Sequence, residues 1–83
     1  MPWSVYMLRC ADDTLYIGIT NDLEKRLASH NAGAGAKYTR GRGPVKIVWS
    51  KRMRTGTLAR QKEFAMKKMT RAKKLALLKT APK

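Results

Sequence analysis

Acidic residues, cysteine and long apolar runs are all scarce in this sequence. Five Asp and Glu residues face nineteen Lys and Arg in 83 residues, which gives a formal net charge of +14. The single cysteine, Cys10, excludes an internal disulfide, fits a reducing compartment and predicts a small buried apolar side chain. The longest apolar runs, such as residues 75–78, are far too short to cross a bilayer. We therefore expect a cytoplasmic protein with no membrane partner.

Positive charge is concentrated in the second half of the chain. Residues 51–83 carry twelve Lys and Arg and one acid, Glu63, whereas residues 1–50 carry seven Lys and Arg and four acids. Phosphate backbones present anions at regular spacing, so this density favours nucleic acid over small acidic ligands. An anionic membrane surface is a less favoured partner than nucleic acid, because the cations of this segment would lie all around a helix and not on one polar face opposite a broad apolar one. An isolated acid in so basic a segment is a candidate metal ligand or catalytic group.

The first two elements are predicted to form a β-hairpin. Residues 3–9 alternate between two faces, and residues 15–20 are rich in β-formers. The aspartates of residues 11–14 suit a tight turn between the two strands. Tyr6 and Tyr16 are therefore expected to lie on neighbouring strands, exposed near one another on one surface.

A helix is predicted to follow the hairpin. Asn21 is the candidate N-cap, with Glu24 three residues later completing a start that is typical of a capping box. Arg26 and His30 are four residues apart, so they share one stripe of this helix. Gly33 and Gly35 are predicted to end the helix.

The remaining pattern predicts a strand and two helices. The strand covers residues 45–49, and helices begin at Thr57 and Thr70 and run to about residues 68 and 79. Six apolar side chains of these helices are expected to face the core: Leu58, Phe64, Ala65, Met69, Leu75 and Leu78. Trp3 and Trp49 are likewise expected in the core. The order ββαβαα predicts an α+β fold over residues 1–83, with a small three-stranded antiparallel sheet flanked by helices.

Two basic segments are candidate phosphate contacts. Residues 32–44 contain four glycines and three cations, which predicts either a solvated connector or a loop whose backbone amides approach phosphate oxygens. A second basic run begins the last helix. The candidate nucleic-acid-binding cations are Lys37, Arg40, Arg42, Arg71, Lys73 and Lys74.

The sequence places one tyrosine on each hairpin strand, the second within Tyr16-Ile17-Gly18, then an arginine on the next helix and a glutamate on a later helix. This pattern resembles the GIY-YIG nuclease domain. The resemblance covers nearly the whole chain and is closest to the small stand-alone bacterial members of the YhbQ type. The first triad departs from the pattern, because it reads Ser-Val-Tyr. The resemblance implies a metal-dependent endonuclease acting on DNA in repair or recombination. The residues that match the functional positions of the family are Tyr6, Tyr16, Arg26, His30 and, as metal ligand, Glu63.

Phosphodiester hydrolysis requires an activated water and neutralisation of charge on the phosphoryl oxygens. The chain has too few acids for a two-metal carboxylate cluster. Its acid content better fits a single Mg²⁺ or Mn²⁺ ion held by Glu63, waters and a substrate phosphate. Arg26 can bind phosphate oxygens as a fork. Tyr6 is the favoured general base, with Tyr16 orienting water or phosphate and His30 as the alternative base. These groups are expected to converge on one face of the sheet.

Other functions stay open from the sequence. Glu63 could instead form an ion pair with Lys62, Lys67 or Arg60. The chain could then be a nucleic-acid-binding module without cleavage activity, or a small basic protein of RNA processing or the ribosome. The combination of tyrosines, arginine and glutamate favours the nuclease, and DNA over RNA. A domain this small leaves little surface for base readout, so modest sequence specificity is expected.

Overall fold

Three strands and three helices make up the computed structural model, which describes residues 2–32 and 43–80. In chain order they are β1 (Trp3–Arg9), β2 (Leu15–Thr20), α1 (Leu23–Asn31), β3 (Lys46–Met53), α2 (Gly56–Lys67) and α3 (Arg71–Thr80). The strands form one antiparallel sheet in the order β2-β1-β3. The predicted α+β fold with its ββαβαα order is confirmed. Within the described part of the chain, no helix is both long and apolar enough to cross a bilayer.

The third strand is longer than its apolar run. Residues 45–49 were predicted, but β3 continues through polar residues to Met53. It does so because β1 supplies pairing partners along its whole length, ending with Trp3 opposite Met53. Backbone pairing with a central strand therefore extends a strand beyond its hydrophobic pattern.

One face of the sheet packs against α2. The buried side chains of this layer are Val5, Met7, Ile17, Ala59 and Met66. Alternation along β1 places Val5 and Met7 on the same side of the sheet, as predicted. Trp3 and Trp49 are half-buried against this layer, so both tryptophans take part in packing as expected.

The other face of the sheet packs against α1. Its buried side chains are Tyr6, Leu8, Cys10 and Val45, with Leu23 and Leu27 of α1 packed against them. Cys10 is the small buried side chain that was predicted. The expected exposure of Tyr6 is wrong, since this side chain is only 1% exposed. The reason is that helices cover the central strand on both sides.

The start of α1 lies one residue later than predicted. Asp22 is the N-cap, and its Oδ1 accepts a hydrogen bond of 3.1 Å from the backbone N of Lys25. Asn21 precedes the cap and is exposed. Both residues are strong capping types, so propensity alone could not decide between them.

The start of α2 also differs from the prediction. Thr55 is the N-cap, and its hydroxyl accepts a hydrogen bond of 3.1 Å from the backbone N of Leu58. Thr57 therefore lies inside the helix. The predicted cap of α3 is consistent with the structure, because the Thr70 hydroxyl accepts from the backbone N of Lys73 at 3.2 Å.

The buried face of α2 is rotated from the predicted one. Three of the residues predicted to face the core are exposed: Leu58, Phe64 and Ala65. Ala59 and Met66 are buried instead, and they lie seven residues, or about two turns, apart on one stripe. Met69 is half-buried, as are Leu75 and Leu78 on α3.

The end of α1 is tied to the start of β3 by a two-way amide contact. Asn31 Nδ2 donates to the carbonyl of Val45 at 3.2 Å, and Asn31 Oδ1 accepts from the Val45 backbone N at 2.7 Å. The basic loop predicted over residues 32–44 falls between these anchors. Its three cations lie outside the described residues: Lys37, Arg40 and Arg42.

Candidate active site

Three polar side chains meet between β1 and α1. The Oη of Tyr6 lies 3.0 Å from Nε2 of His30 and 3.4 Å from Nε of Arg26. Arg26 and His30 are one helical turn apart, so α1 presents both to the same tyrosine. An arginine N–H can only donate, so the Tyr6 oxygen accepts that bond and its own proton can point to Nε2 of His30. The predicted meeting of these three residues is observed.

Burial controls the charge states in this trio. It raises the pKa of the Tyr6 phenol, and the hydrogen bond from Arg26 offsets that effect only in part. Burial, followed by the Arg26 charge, lowers the pKa of the His30 imidazole. The hydrogen bond to Tyr6 raises the pKa of the Arg26 guanidinium. At neutral pH the trio therefore consists of a neutral phenol, a neutral imidazole and a permanent cation.

Tyr16 completes an aromatic cluster beside the trio. Its ring centroid lies 6.4 Å from that of Tyr6 and 5.4 Å from that of His30. Tyr6 and His30 are each 1% exposed, whereas Tyr16 is half-buried on the edge strand β2. Tyr16 is therefore the tyrosine of the pair that reaches the surface.

Gly18 allows the two tyrosine rings to approach the sheet. It is paired directly opposite Tyr6. A Cβ at Gly18 would lie 2.5 Å from the Oη of Tyr6 and 3.1 Å from Cε2 of Tyr16. The glycine of the Tyr-Ile-Gly motif is therefore a steric requirement of the cluster.

Glu63 lies on α2, which packs on the opposite face of the sheet from α1. The sequence predicts that Arg26, His30 and Glu63 converge on one face of the sheet, yet α2 covers the layer of Val5 and Ile17 whereas α1 covers the other face. The Glu63 charge nevertheless raises the pKa of Tyr6, as the smallest of the causes at that phenol. Because β2 is an edge strand, side chains from the α1 layer and from the α2 layer can approach each other around its open side.

Lys67 connects Glu63 with Tyr16. Its Nζ lies 3.4 Å from Oε2 of Glu63, whose side chain is 21% exposed. The same ammonium lies 6.0 Å from the centroid of the Tyr16 ring. The sequence indicated Lys67 only as one of three possible ion-pair partners of Glu63. Its i, i+4 spacing was the available signal, and its position beside Tyr16 required the tertiary structure.

A divalent ion would find one carboxylate here. Among residues 2–32 and 43–80, no three His, Cys, Asp or Glu side chains lie together as a metal-binding group. Mg²⁺ often binds through one or two carboxylates together with waters and substrate phosphate. The half-buried carboxylate of Glu63 fits that mode, and Lys67 neutralises it in the free protein. Waters and a substrate phosphate would then supply the remaining ligands.

The predicted phosphate contacts on α3 differ in their surroundings. Arg71 Nη2 donates to the carbonyl of Asp13 at 2.9 Å and to its Oδ2 at 3.2 Å. Asp13 sits in the β1–β2 turn with a φ of 69°. Arg71 thus ties α3 to the hairpin. Lys73 is exposed and Lys74 half-buried, and their phosphate contacts stay a prediction.

Comparison with known proteins shows the family to which this chain belongs. The sequence profile of the GIY-YIG catalytic domain matches residues 2–76. The match spans most of the chain, which therefore belongs to the GIY-YIG catalytic-domain family, a family of nuclease domains.

The similarity extends to particular proteins. A UPF0213 protein of Clostridium perfringens is 53% identical over 74 residues, covering 89% of this chain and 80% of that protein. The solution structure of a UPF0213 protein from Bacillus halodurans has a TM-score of 0.63 and 39% identity, covering 96% of this chain and 85% of that one. A protein from E. faecalis gives a TM-score of 0.66 at 40% identity with the same coverage. These similarities confirm the family and the fold inferred from the sequence.

Proposed function

We propose that this protein is a metal-dependent endonuclease that hydrolyses phosphodiester bonds in DNA, in repair or recombination. The observation that supports it most is the contact of Tyr6 with both Arg26 and His30. The buried phenol and imidazole can exchange a proton, and the permanent charge of Arg26 next to them can hold a substrate phosphate where that proton is needed. A surface that only binds DNA needs exposed cations and no such pair.

Arg26 is the proposed phosphate ligand. Its Nε is turned to Tyr6, so its Nη groups are the donors that can meet phosphate oxygens. A fixed guanidinium stabilises the charge that grows on the phosphoryl group during attack. The Lys67 ammonium beside Tyr16 adds a second cation to the same surface.

Tyr6 and His30 together form the proposed proton acceptor. The raised pKa of Tyr6 makes a standing phenolate rare, so this tyrosine alone is a poor base. Neutral His30, with Nε2 at 3.0 Å, can take the phenol proton while Tyr6 receives one from the attacking water. The two bases that the sequence offered as alternatives would thus act in series. Tyr16, nearer the surface, would orient the water or the phosphate.

Glu63 is the proposed ligand of Mg²⁺ or Mn²⁺. When bound, such an ion would neutralise phosphoryl oxygens and acidify a coordinated water. Glu63 would provide an oxygen ligand within a cationic surface. Lys67, at 3.4 Å, would hold that carboxylate in place.

Cleavage assays on end-labelled duplex, single-stranded and branched DNA, with Mg²⁺, Mn²⁺ or EDTA, test this proposal. Arg26→Ala should lower kcat more than it raises KM, because the fork acts mainly in the transition state. Arg52→Ala is the matched control, since Arg52 is an exposed arginine on β3. Circular dichroism checks that both variants fold.

Two results would redirect the proposal. If the wild-type protein cleaves no form of DNA with either ion, while binding it, the non-catalytic binding module replaces the nuclease. If RNA of the same forms is cleaved and DNA is not, the reaction class stands and the DNA substrate is wrong.

A further inference from the structure

Phe64 is the most exposed large apolar side chain in the described part of the chain. It is 63% exposed and follows Glu63 directly on α2. Single exposed apolar residues are common and carry no meaning by themselves. The surroundings of Phe64 are what distinguish it.

Cations border this ring on the outer surface of α2. The Nζ of Lys68 lies 4.1 Å from the centroid of the Phe64 ring. Arg60, one turn before Phe64, is exposed. Two parallel i, i+4 pairs thus lie side by side on the helix: the ion pair of Glu63 with Lys67 and the cation–π pair of Phe64 with Lys68. An aromatic ring among cations therefore lies on the helix stripe next to the one that carries the proposed metal ligand.

We propose that Phe64 stacks on an unpaired nucleobase while the surrounding cations bind the neighbouring phosphates. The enzyme would then act on single-stranded or locally unpaired DNA. This inference rests on the proposed nucleic-acid substrate and adds the structural class of that substrate. Aromatic side chains within basic grooves are the usual means of binding single strands. A base inside a duplex is already stacked on both sides and presents no free face.

A second copy of the chain is a poor occupant for the same surface. A two-fold contact through α2 would bring Arg60, Lys67 and Lys68 of one protomer against the same cations of the other. Like charges brought together in this way oppose association, and the chain already carries a net charge of +14. The charge on this face therefore favours a polyanion.

Fluorescence anisotropy tests the proposal, with EDTA present so that no strand is cut. The probes are a labelled single strand of roughly 16 nucleotides, the same strand with abasic sites in place of its bases, and a duplex of equal length. Phe64→Ala and Phe64→Leu should each raise Kd for the intact strand about tenfold. Phe64→Tyr should stay within about twofold, because it keeps the ring. Leu58→Ala, at the other exposed large apolar residue of α2, is the matched control and should also leave Kd unchanged.

The abasic strand and the duplex should bind the wild type and all variants alike. Equal losses on intact and abasic strands, or an unchanged Kd for both Phe64→Ala and Phe64→Leu, would overturn the stacking role. So would self-association in sedimentation velocity that Phe64→Ala abolishes. If Phe64→Ala fails to fold by circular dichroism, the Leu and Tyr variants still separate aromatic from merely apolar contact.

The binding and cleavage outcomes are independent. A protein that cuts DNA but binds normally after Phe64→Ala refutes stacking alone. A protein whose Phe64 variants lose the intact strand, but which never cuts, refutes the nuclease proposal alone.

Discussion

Tyr6 and Gly18 lie directly opposite each other on β1 and β2, and the phenol of Tyr6 occupies the space that a side chain at Gly18 would need. The glycine serves this approach and not an unusual backbone, since its φ lies outside the left-handed region. The motif glycine therefore determines where the Tyr6 hydroxyl sits. That hydroxyl in turn contacts both His30 and Arg26.

Gly18→Ala should destabilise the protein by about 1–3 kcal/mol, because an added methyl group must displace a buried ring. Urea denaturation measures the loss. A double-mutant cycle with Tyr6→Phe locates the conflict, since the Oη is the atom nearest the added Cβ. The alanine should cost less in the Tyr6→Phe background than in the wild type. Equal costs in the two backgrounds would contradict a clash with the hydroxyl.

Glu63→Gln should separate binding from catalysis. It removes one negative charge from a cationic surface, so DNA binding should persist or tighten. Cleavage should fall by orders of magnitude if Glu63 is the metal ligand. Glu24→Gln is the control, because Glu24 is exposed in the first turn of α1 and its loss changes the net charge equally. Comparable cleavage by both variants would rule out the ligand role of Glu63.

His30 should make the free energy of unfolding depend on pH. Its pKa is lowered in the folded protein, so between the usual value near ~6.5 and the lower folded value the unfolded chain binds more protons. Its contribution is therefore fully present above about pH 6.5 and is lost as the pH falls toward the folded pKa. His30→Gln should flatten this slope in urea denaturation series at several pH values. Parallel slopes for wild type and variant would show that His30 titrates alike in both states.

The cations of α3 should divide into a structural and a binding group. Lys73→Ala and Lys74→Ala should each reduce the slope of log Kd against log salt concentration by about one, with stability unchanged. Arg71→Ala should leave that slope alone and lower stability by less than about 1 kcal/mol, because it removes a partly exposed contact with Asp13. A slope reduced by Arg71→Ala at unchanged stability would instead make Arg71 a phosphate contact.

Local patterns in the sequence determined the elements and the family. The alternation of residues 3–9 predicted β1 to the residue, because side chains on a strand repeat every two positions. The β-forming residues of 15–20 predicted β2 to the residue. The spacing of Arg26 and His30 predicted a shared helical stripe. Two tyrosines, the arginine and the glutamate were sufficient to indicate the GIY-YIG family, which the matched profile confirms.

Only the tertiary structure decided how those elements cover one another. Alternation cannot show whether a second helix lies over the face of Tyr6, and tyrosine suits both a buried and an exposed position. The choice of Asp22 over Asn21 as cap depended on which side chain reached a free backbone N–H. The Tyr6–His30 contact joins residues 24 positions apart, and the approach of Lys67 to Tyr16 joins two layers around an edge strand. Such contacts follow from long-range packing, which short-range spacing in the sequence does not specify.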